Sequence, residues 1–356
     1  MAVLAVGVAA VAVILSVAFW RRFFTHGGKS SSRERVEPTR GEIHQNWPAE
    51  LLPQLDNGGF RWMTNRRGLQ IATYRFATAE KPIATCVLVH GYRISGRFEY
   101  CRPPAVGDAH TILDGSTLGS LLAAGCECVM LDVQGHGLSE GHGSGSCRAY
   151  FESFEEVVDD LLQLIDERRL LAASRRARLP LFLVGCSMGG AIVTRAAQRL
   201  PPGSVSGLVC ISPLITIARK VPSPLVGLSV ALVRLASLLM PSQPTGITNK
   251  KNPYPWGEAN YVRETQTDPT IYQGSVRCRM MYEFLQITLA FVERASYAAL
   301  ETVRAESLLV IASRTDRIVD STGSEANRGS SGGDAGVPTV SRTGSSSGKE
   351  EAFASK

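Results

Sequence analysis

LFLVGCSMGGAIVTRAAQRL, residues 181–200, decides how this chain folds. An apolar run reaches Gly185, a serine stands at 187 between Gly185 and Gly189, and a helix-forming segment follows at once. A strand that enters a helix through a single residue must turn sharply and with strain. Its neighbours must then be small enough for strand and helix to close on each other. Gly185, Gly189 and Gly190 meet that need. The bland alternative is a glycine-rich turn without chemistry. A strand before it and a helix after it favour Ser187 as an exposed nucleophile.

A serine hydroxyl is a poor nucleophile near neutral pH, and acyl transfer also builds negative charge on a carbonyl oxygen. Two backbone N–H donors are therefore expected. One is that of Met188, at the start of the helix, where the dipole helps. The other is that of Tyr92, in the loop after ATCVLV, where Gly91 lets the chain turn close to a substrate and His90 is expected to orient the loop. DVQGHGLSEG, residues 132–141, holds Asp132 and His136, with His142 just beyond. The set is a poor match to a metal site, and the stretch is expected to be a tight turn that positions the nucleophile-side loop.

The surroundings of these motifs give the fold class. Continuous apolar runs at Ala84–Val89, Cys128–Asp132, Leu181–Val184, Leu208–Ser212 and Leu308–Ala312 read as strands covered on both faces. Between the second and third lies an amphipathic helix with Phe154, Val157, Val158, Leu161 and Ile165 on one face and basic residues Arg168 and Arg169 in its last turn. FRWMTNRRGLQIATYRF reads as a hairpin turning at Asn65–Gly68. The expected class is α/β, a mostly parallel sheet with helices on both faces, opened by an antiparallel hairpin. Residues 213–300 interrupt that rhythm and read as a helical cap insert. Within it, PSPLVGLSVALVRLASLLMP (222–241) reads as an apolar cap helix, with a membrane-dipping segment or a second span as alternatives.

The ends differ from the middle. Residues 1–20 carry no charge and are followed by Arg21 and Arg22. About 20 apolar residues suffice to cross a bilayer, so a retained N-terminal transmembrane helix is expected, with a cleaved signal or an accident of gene-start choice as alternatives. The basic residues beyond it place the body on the cytosolic side, or in a lumenal or secreted setting if the segment is cleaved. Residues 21–50 read as a polar stalk, 51–320 as the folded domain, and 321–356 as a Gly/Ser-rich tail that buries too little apolar surface to fold. The eight cysteines read as reduced core thiols, and Cys126-Glu-Cys128 has no second pair to complete a zinc site. A net charge of +6 argues weakly for membrane contact and not for nucleic acid. No metal or cofactor is expected.

VHGYRISGRFEY, DVQGHGLSEG, GCSMGG and ASRTDRIVD, in this order, resemble the monoglyceride lipase and lysophospholipase branch of the α/β-hydrolase fold, which overlaps the serine aminopeptidases. The resemblance runs from about Phe60 to Asp320. It implies a serine ester hydrolase of monoacyl lipids or other esters, with Ser187 as nucleophile, Tyr92 and Met188 as oxyanion donors, and Asp316 as the acid that supports a histidine. In this fold the histidine follows the acid. The six histidines here are His26, His44, His90, His110, His136 and His142, and all precede Ser187. Three readings follow: an active hydrolase whose C-terminal sequence has been cut or altered, a pseudoenzyme that binds lipid or a protein partner, or an unconventional base such as His136 or His110.

Overall fold

The structure, a computed structural model, describes residues 39–44, 46–78, 80–104, 108, 110–142, 147–168, 170, 179–215, 223–246, 259–293 and 307–311. The apolar N-terminal segment, most of the stalk, Asp316 and the tail lie outside them. Among the described residues, seven strands form one sheet: β1 (Phe60–Thr64), β2 (Gln70–Phe76), β3 (Ala84–Val89), β4 (Cys126–Leu131), β5 (Leu181–Cys186), β6 (Gly207–Ile211) and β7 (Ser307–Ile311). Their order is β1-β2-β4-β3-β5-β6-β7. β1 and β2 form the expected hairpin, whose turn is held by Asn65 Oδ1 accepting from the N–H groups of Arg67 (3.0 Å) and Leu69 (2.9 Å). β2 meets β4 antiparallel, and every pairing from β4 across to β7 is parallel.

Every residue of β3 and β4 is buried, which is the physical reason apolar residues dominate both without alternation. The acid within β4, Glu127, is matched by Arg75 Nε at 2.6 Å. Four strands differ from the expected bounds: β6 and β7 each begin one residue earlier, at Gly207 and Ser307, β4 begins at Cys126, and β4 and β5 also end elsewhere. β4 ends at Leu131 because Asp132 turns its carboxylate away to bind the neighbouring loop (below). β5 continues to Cys186 because Gly185 and Cys186 still pair with Cys210 and Ile211.

The helices used below are α1 (Gly96–Tyr100), α2 (Thr117–Ala123), α3 (Phe154–Glu167), α4 (Met188–Arg199), α5 (Ser223–Leu239), α6 (Ala259–Thr267) and α7 (Cys278–Glu293). α3 and α4 cover one face of the sheet, and Met280, Phe284 and Ile287 of α7 join the same core. Trp47, Leu51, Leu55, Tyr100 and Leu118 cover the other. α3 starts at its Ser153 cap, whose hydroxyl accepts from Glu155 N, and the five apolar positions expected on its inner face are buried together with Leu164. Its basic end also makes a tertiary contact. Arg168 reaches across to the Thr73 hydroxyl (3.0 Å) and so joins helix to hairpin.

Three helices lie between β6 and β7 in the described residues. α5 packs against α7. It is 17 residues long, and no helix among the described residues is long and apolar enough to cross a membrane. Val233, Ala236, Ser237 and Met240 are buried, whereas Leu235, Leu238 and Leu239 are exposed. The other end of this insert is fastened by charge. Arg97 of α1 pairs with Glu264 of α6 at 3.3 Å and with Asp268, and the three side chains are at most 6% exposed.

Removing one partner of a buried ion pair leaves the other charge stranded. Arg97→Ala, which leaves Glu264 and Asp268 buried without their cation, is therefore expected to cost about 3 kcal/mol or more in urea unfolding, while Arg66→Ala, at a pair whose arginine is 81% exposed, costs less than about 1 kcal/mol. A second expectation concerns pH. Asp160 is buried within α3 with Asn65 Nδ2 at 3.2 Å, and burial pushes its carboxyl up to about 7. The folded state binds this proton more tightly than the unfolded chain. The contribution to stability is thus complete below about pH 4 and lost as pH rises through 7, at up to about 1.4 kcal/mol per pH unit. Unfolding titrations from pH 4 to 8 should show that slope in the native chain and its loss in Asp160→Asn.

Candidate active site

β5 ends at Cys186 and α4 begins at Met188, so Ser187 alone makes the turn. Its backbone sits at φ 50°, ψ −114°, a strained conformation for a residue with a side chain. Hydrogen bonds hold it there: Ser187 N donates to Ile211 O at 2.8 Å, and Leu214 N donates to Ser187 O at 2.9 Å. Serine is a favoured helix cap, yet the Ser187 hydroxyl makes no capping bond to α4. It is half-buried, and none of the described residues hydrogen-bonds to it.

The flanking glycines are required by contact. A Cβ on Gly185 would stand 2.3 Å from Gly189 O, one on Gly189 2.0 Å from Val89 O, and one on Gly190 2.7 Å from Pro213 Cβ. The start of α4 therefore lies directly on the end of β3. The loop that leaves β3 passes the serine: a Cβ on Gly91 would be 3.4 Å from Ser187 Cβ.

That loop is fixed by His90, which is fully buried. Val133 N donates to its Nε2 at 2.9 Å, which assigns the ring proton to Nδ1, and Nδ1 donates to Gly91 O at 2.7 Å. Burial lowers the His90 pKa and favours this neutral ring. In a trans peptide unit the C=O and N–H point opposite ways, so drawing Gly91 O toward His90 turns the Tyr92 N–H away from it. Neither Tyr92 N–H nor Met188 N–H finds an acceptor among the described residues. The Tyr92 ring is anchored by its hydroxyl donating to Ala149 O (2.9 Å) and by an edge contact with Phe284 of α7 at 4.9 Å.

The 132–141 stretch forms a tight turn, with Gly135 N donating to Glu140 O and His136 N to Val133 O. Asp132, buried, accepts from Tyr74 OH (2.8 Å), Gly96 N (2.9 Å) and Leu138 N (2.9 Å). It thus braces the loop after β3, not the serine turn. His136 is buried against Tyr92 and His90, with Nδ1 on Gln134 O at 2.9 Å, and burial holds its pKa well below the usual histidine value. His44 pairs with Asp56 and His142 with Glu152. None of the described histidines, His110 included, hydrogen-bonds to Ser187. Among the described residues no group of three or more His, Cys, Asp or Glu is arranged to hold a metal. None of the eight cysteines is in a disulfide; Cys147 and Cys186 are half-buried and the rest buried.

Sequence reasoning passed over Glu99, whose carboxylate accepts from Gly91 N at 3.2 Å. The only advance signal was an acid in RFEY, close behind a loop of functional interest.

The sheet order and the serine turn define an α/β-hydrolase. Solved structures of similar fold include the monoacylglycerol lipase of Paleococcus ferrophilus (TM-score 0.51, 23% identity, 72% of this chain and 82% of that one). Another is a soluble variant of monoglyceride lipase from Saccharomyces cerevisiae in complex with a substrate analog (TM-score 0.54, 18% identity, 84% of each chain). Within that class, the sequence model of the serine aminopeptidase S33 family matches residues 115–333, and the chain belongs to this family. Similar curated proteins include human monoglyceride lipase, 42% identical over 85 residues, or 24% of each chain. Monoacylglycerol lipase of Mycolicibacterium smegmatis is 28% identical over 202 residues, 57% of this chain and 64% of that protein. The chain thus spans about a quarter and just under two-thirds of these two relatives.

The glycine contacts give a direct test. Gly189→Ala drives a methyl group into the carbonyl of β3, where only backbone can yield. It should lower the thermal midpoint by 10 °C or more on the order-of-magnitude scale of large core disruptions. An equivalent Gly203→Ala, whose surroundings are open, should lower it by only about a few degrees, the strain of a positive φ.

Proposed function

We propose that this chain is a serine ester hydrolase acting on monoacylglycerol or lysophospholipid-type substrates. The observation that carries the reading is the Ser187 turn: a strained helix cap whose hydroxyl is not used for capping, facing a loop whose free N–H has been turned outward by a buried neutral histidine. Ser187 attacks the acyl carbonyl, and the N–H groups of Tyr92 and Met188 receive the oxyanion. Collapse of that intermediate breaks the ester C–O bond, the alcohol leaves with a proton and the acyl group stays on Ser187 Oγ; water then hydrolyses this acyl-serine to the fatty acid and the free hydroxyl. Asp316 would orient a histidine that shuttles the proton, and no histidine of this chain follows Ser187. The names of the relatives, monoglyceride and monoacylglycerol lipases, support the substrate class. The exposed leucines of α5 support entry of substrate from a lipid surface, and residues 1–20 would hold the domain against it as a single-pass anchor with the body in the cytosol.

The alternative is a catalytically impaired binding module, favoured by one observation: none of the described histidines reaches Ser187. Loss of the base in a serine triad costs on the order of a million-fold in kcat, and a freely diffusing imidazole can take up part of that role. The chain and Ser187→Ala are to be treated with an alkyl fluorophosphonate, with and without imidazole, and the adduct located by mass spectrometry. The hydrolase reading predicts slow labelling at Ser187 that imidazole accelerates. Rapid labelling without imidazole would instead indicate an unconventional base. No Ser187 adduct under either condition would leave the binding module.

A further inference from the structure

Glu99 lies behind the loop that passes Ser187, on the short helix α1. That helix is fixed from several directions. Gly96 N donates to Asp132 at 2.9 Å, Arg97 is held by Asp268 and Glu264 of the cap, and Tyr100 OH donates to Val89 O at 2.7 Å. The carboxyl of Glu99 is therefore delivered to a defined point. There it accepts from Gly91 N at 3.2 Å and from the thiol of Cys186, the residue before Ser187. A Cβ placed on Gly91 would lie 3.3 Å from Glu99 Oε2 and 3.4 Å from Ser187 Cβ, so the acid and the serine both border the space that a side chain at Gly91 would fill. Burial raises the Glu99 pKa, and the two donors, Cys186 first, oppose that rise.

We propose that Glu99 is a positioning residue for acyl transfer, holding Gly91 N–H on one side and Cys186 on the other, so that the loop bearing Tyr92 and the turn bearing Ser187 keep a fixed separation. This rests on the hydrolase reading. The Gly91 residue is then pinned at both of its polar groups, N–H by Glu99 and C=O by His90. With both fixed, the Tyr92 N–H has one direction left. A donor aimed at an oxyanion is useful only within a few tenths of an ångström of its target, and a glycine loop without such tethers samples many directions. The acid also connects the site to the cap, because Arg97, two residues earlier, is the cap's buried anchor.

The test uses the full chain with Glu99→Gln, which keeps an acceptor oxygen, and Glu99→Leu, which fills the space without one. If Glu99→Leu does not fold, Glu99→Ala is read in its place. Two readouts are taken at matched folded fraction: amide hydrogen exchange of the peptide containing Gly91, and the imidazole-assisted rate of Ser187 phosphonylation, resolved into affinity for the reagent and limiting rate. Exchange at Gly91 should rise about tenfold or more in Glu99→Leu and stay near native in Glu99→Gln. The limiting rate should fall about tenfold to a hundredfold in Glu99→Leu with affinity unchanged, and recover in Glu99→Gln. Unchanged exchange at Gly91 in Glu99→Leu overturns the tether. Equal damage by Glu99→Gln and Glu99→Leu also overturns it, because the acceptor alone would not then be what matters. If the native chain does not react, the hydrolase reading fails, and hydrogen exchange still decides whether Glu99 holds Gly91.

Discussion

The closure of α4 onto the end of β3 is the constraint on which the rest depends. Strand β5 and helix α4 are joined by one residue, and the helix starts so close to β3 that a single methyl group at Gly189 would collide with Val89 O. Ser187 absorbs the geometry by adopting a positive φ, at a cost on the order of 1–3 kcal/mol. Bonds to Ile211 and Leu214 offset that cost. The parallel arrangement of β3, β5 and β6 makes those bonds available, because it brings the ends of all three strands to the same edge of the sheet. The strained residue, the unused hydroxyl and the helix N-terminus then coincide at one point.

Around this point the protein relies on buried polar side chains bonded to the backbone. His90 spends both ring nitrogens on backbone, and Asp132 accepts three hydrogen bonds from three separate segments. Such groups are costly to bury singly and become rigid when every partner is present. Their effect is to fix the direction of peptide groups that would otherwise follow the freedom of Gly91. The cap is tied into the same arrangement by Arg97 and by the contact of Phe284 with Tyr92, so the wall above the site and the loop beneath it share their supports.

The serine turn, the hairpin and the buried strands were legible in the sequence because each rests on local spacing: glycines beside Ser187, Asn65 and Gly68 at the hairpin, unbroken Val and Leu in β3. The partners of Asp132 were not legible, since Tyr74 and Gly96 lie 58 and 36 residues away. The Arg97–Asp268 pair spans 171 residues, and Glu99 draws its meaning from its reach to Gly91 through a fold that no periodicity encodes. The bounds of β4 and β5 moved for a related reason: pairing and side-chain capture, not hydropathy, decide where a strand stops. At 222–241 apolar pattern marked the cap helix but not which of its leucines are exposed.

The central claim is that the Tyr92 and Met188 N–H groups converge on one oxygen of a group bonded to Ser187. A crystal structure of the chain after reaction with an alkyl fluorophosphonate measures this directly, because the phosphoryl oxygen occupies the place of the oxyanion. The account predicts phosphorus on Ser187 Oγ with one oxygen about 2.7–3.1 Å from both nitrogens. An adduct on Ser187 whose oxygen turns to solvent, with both N–H groups unbonded, would contradict it.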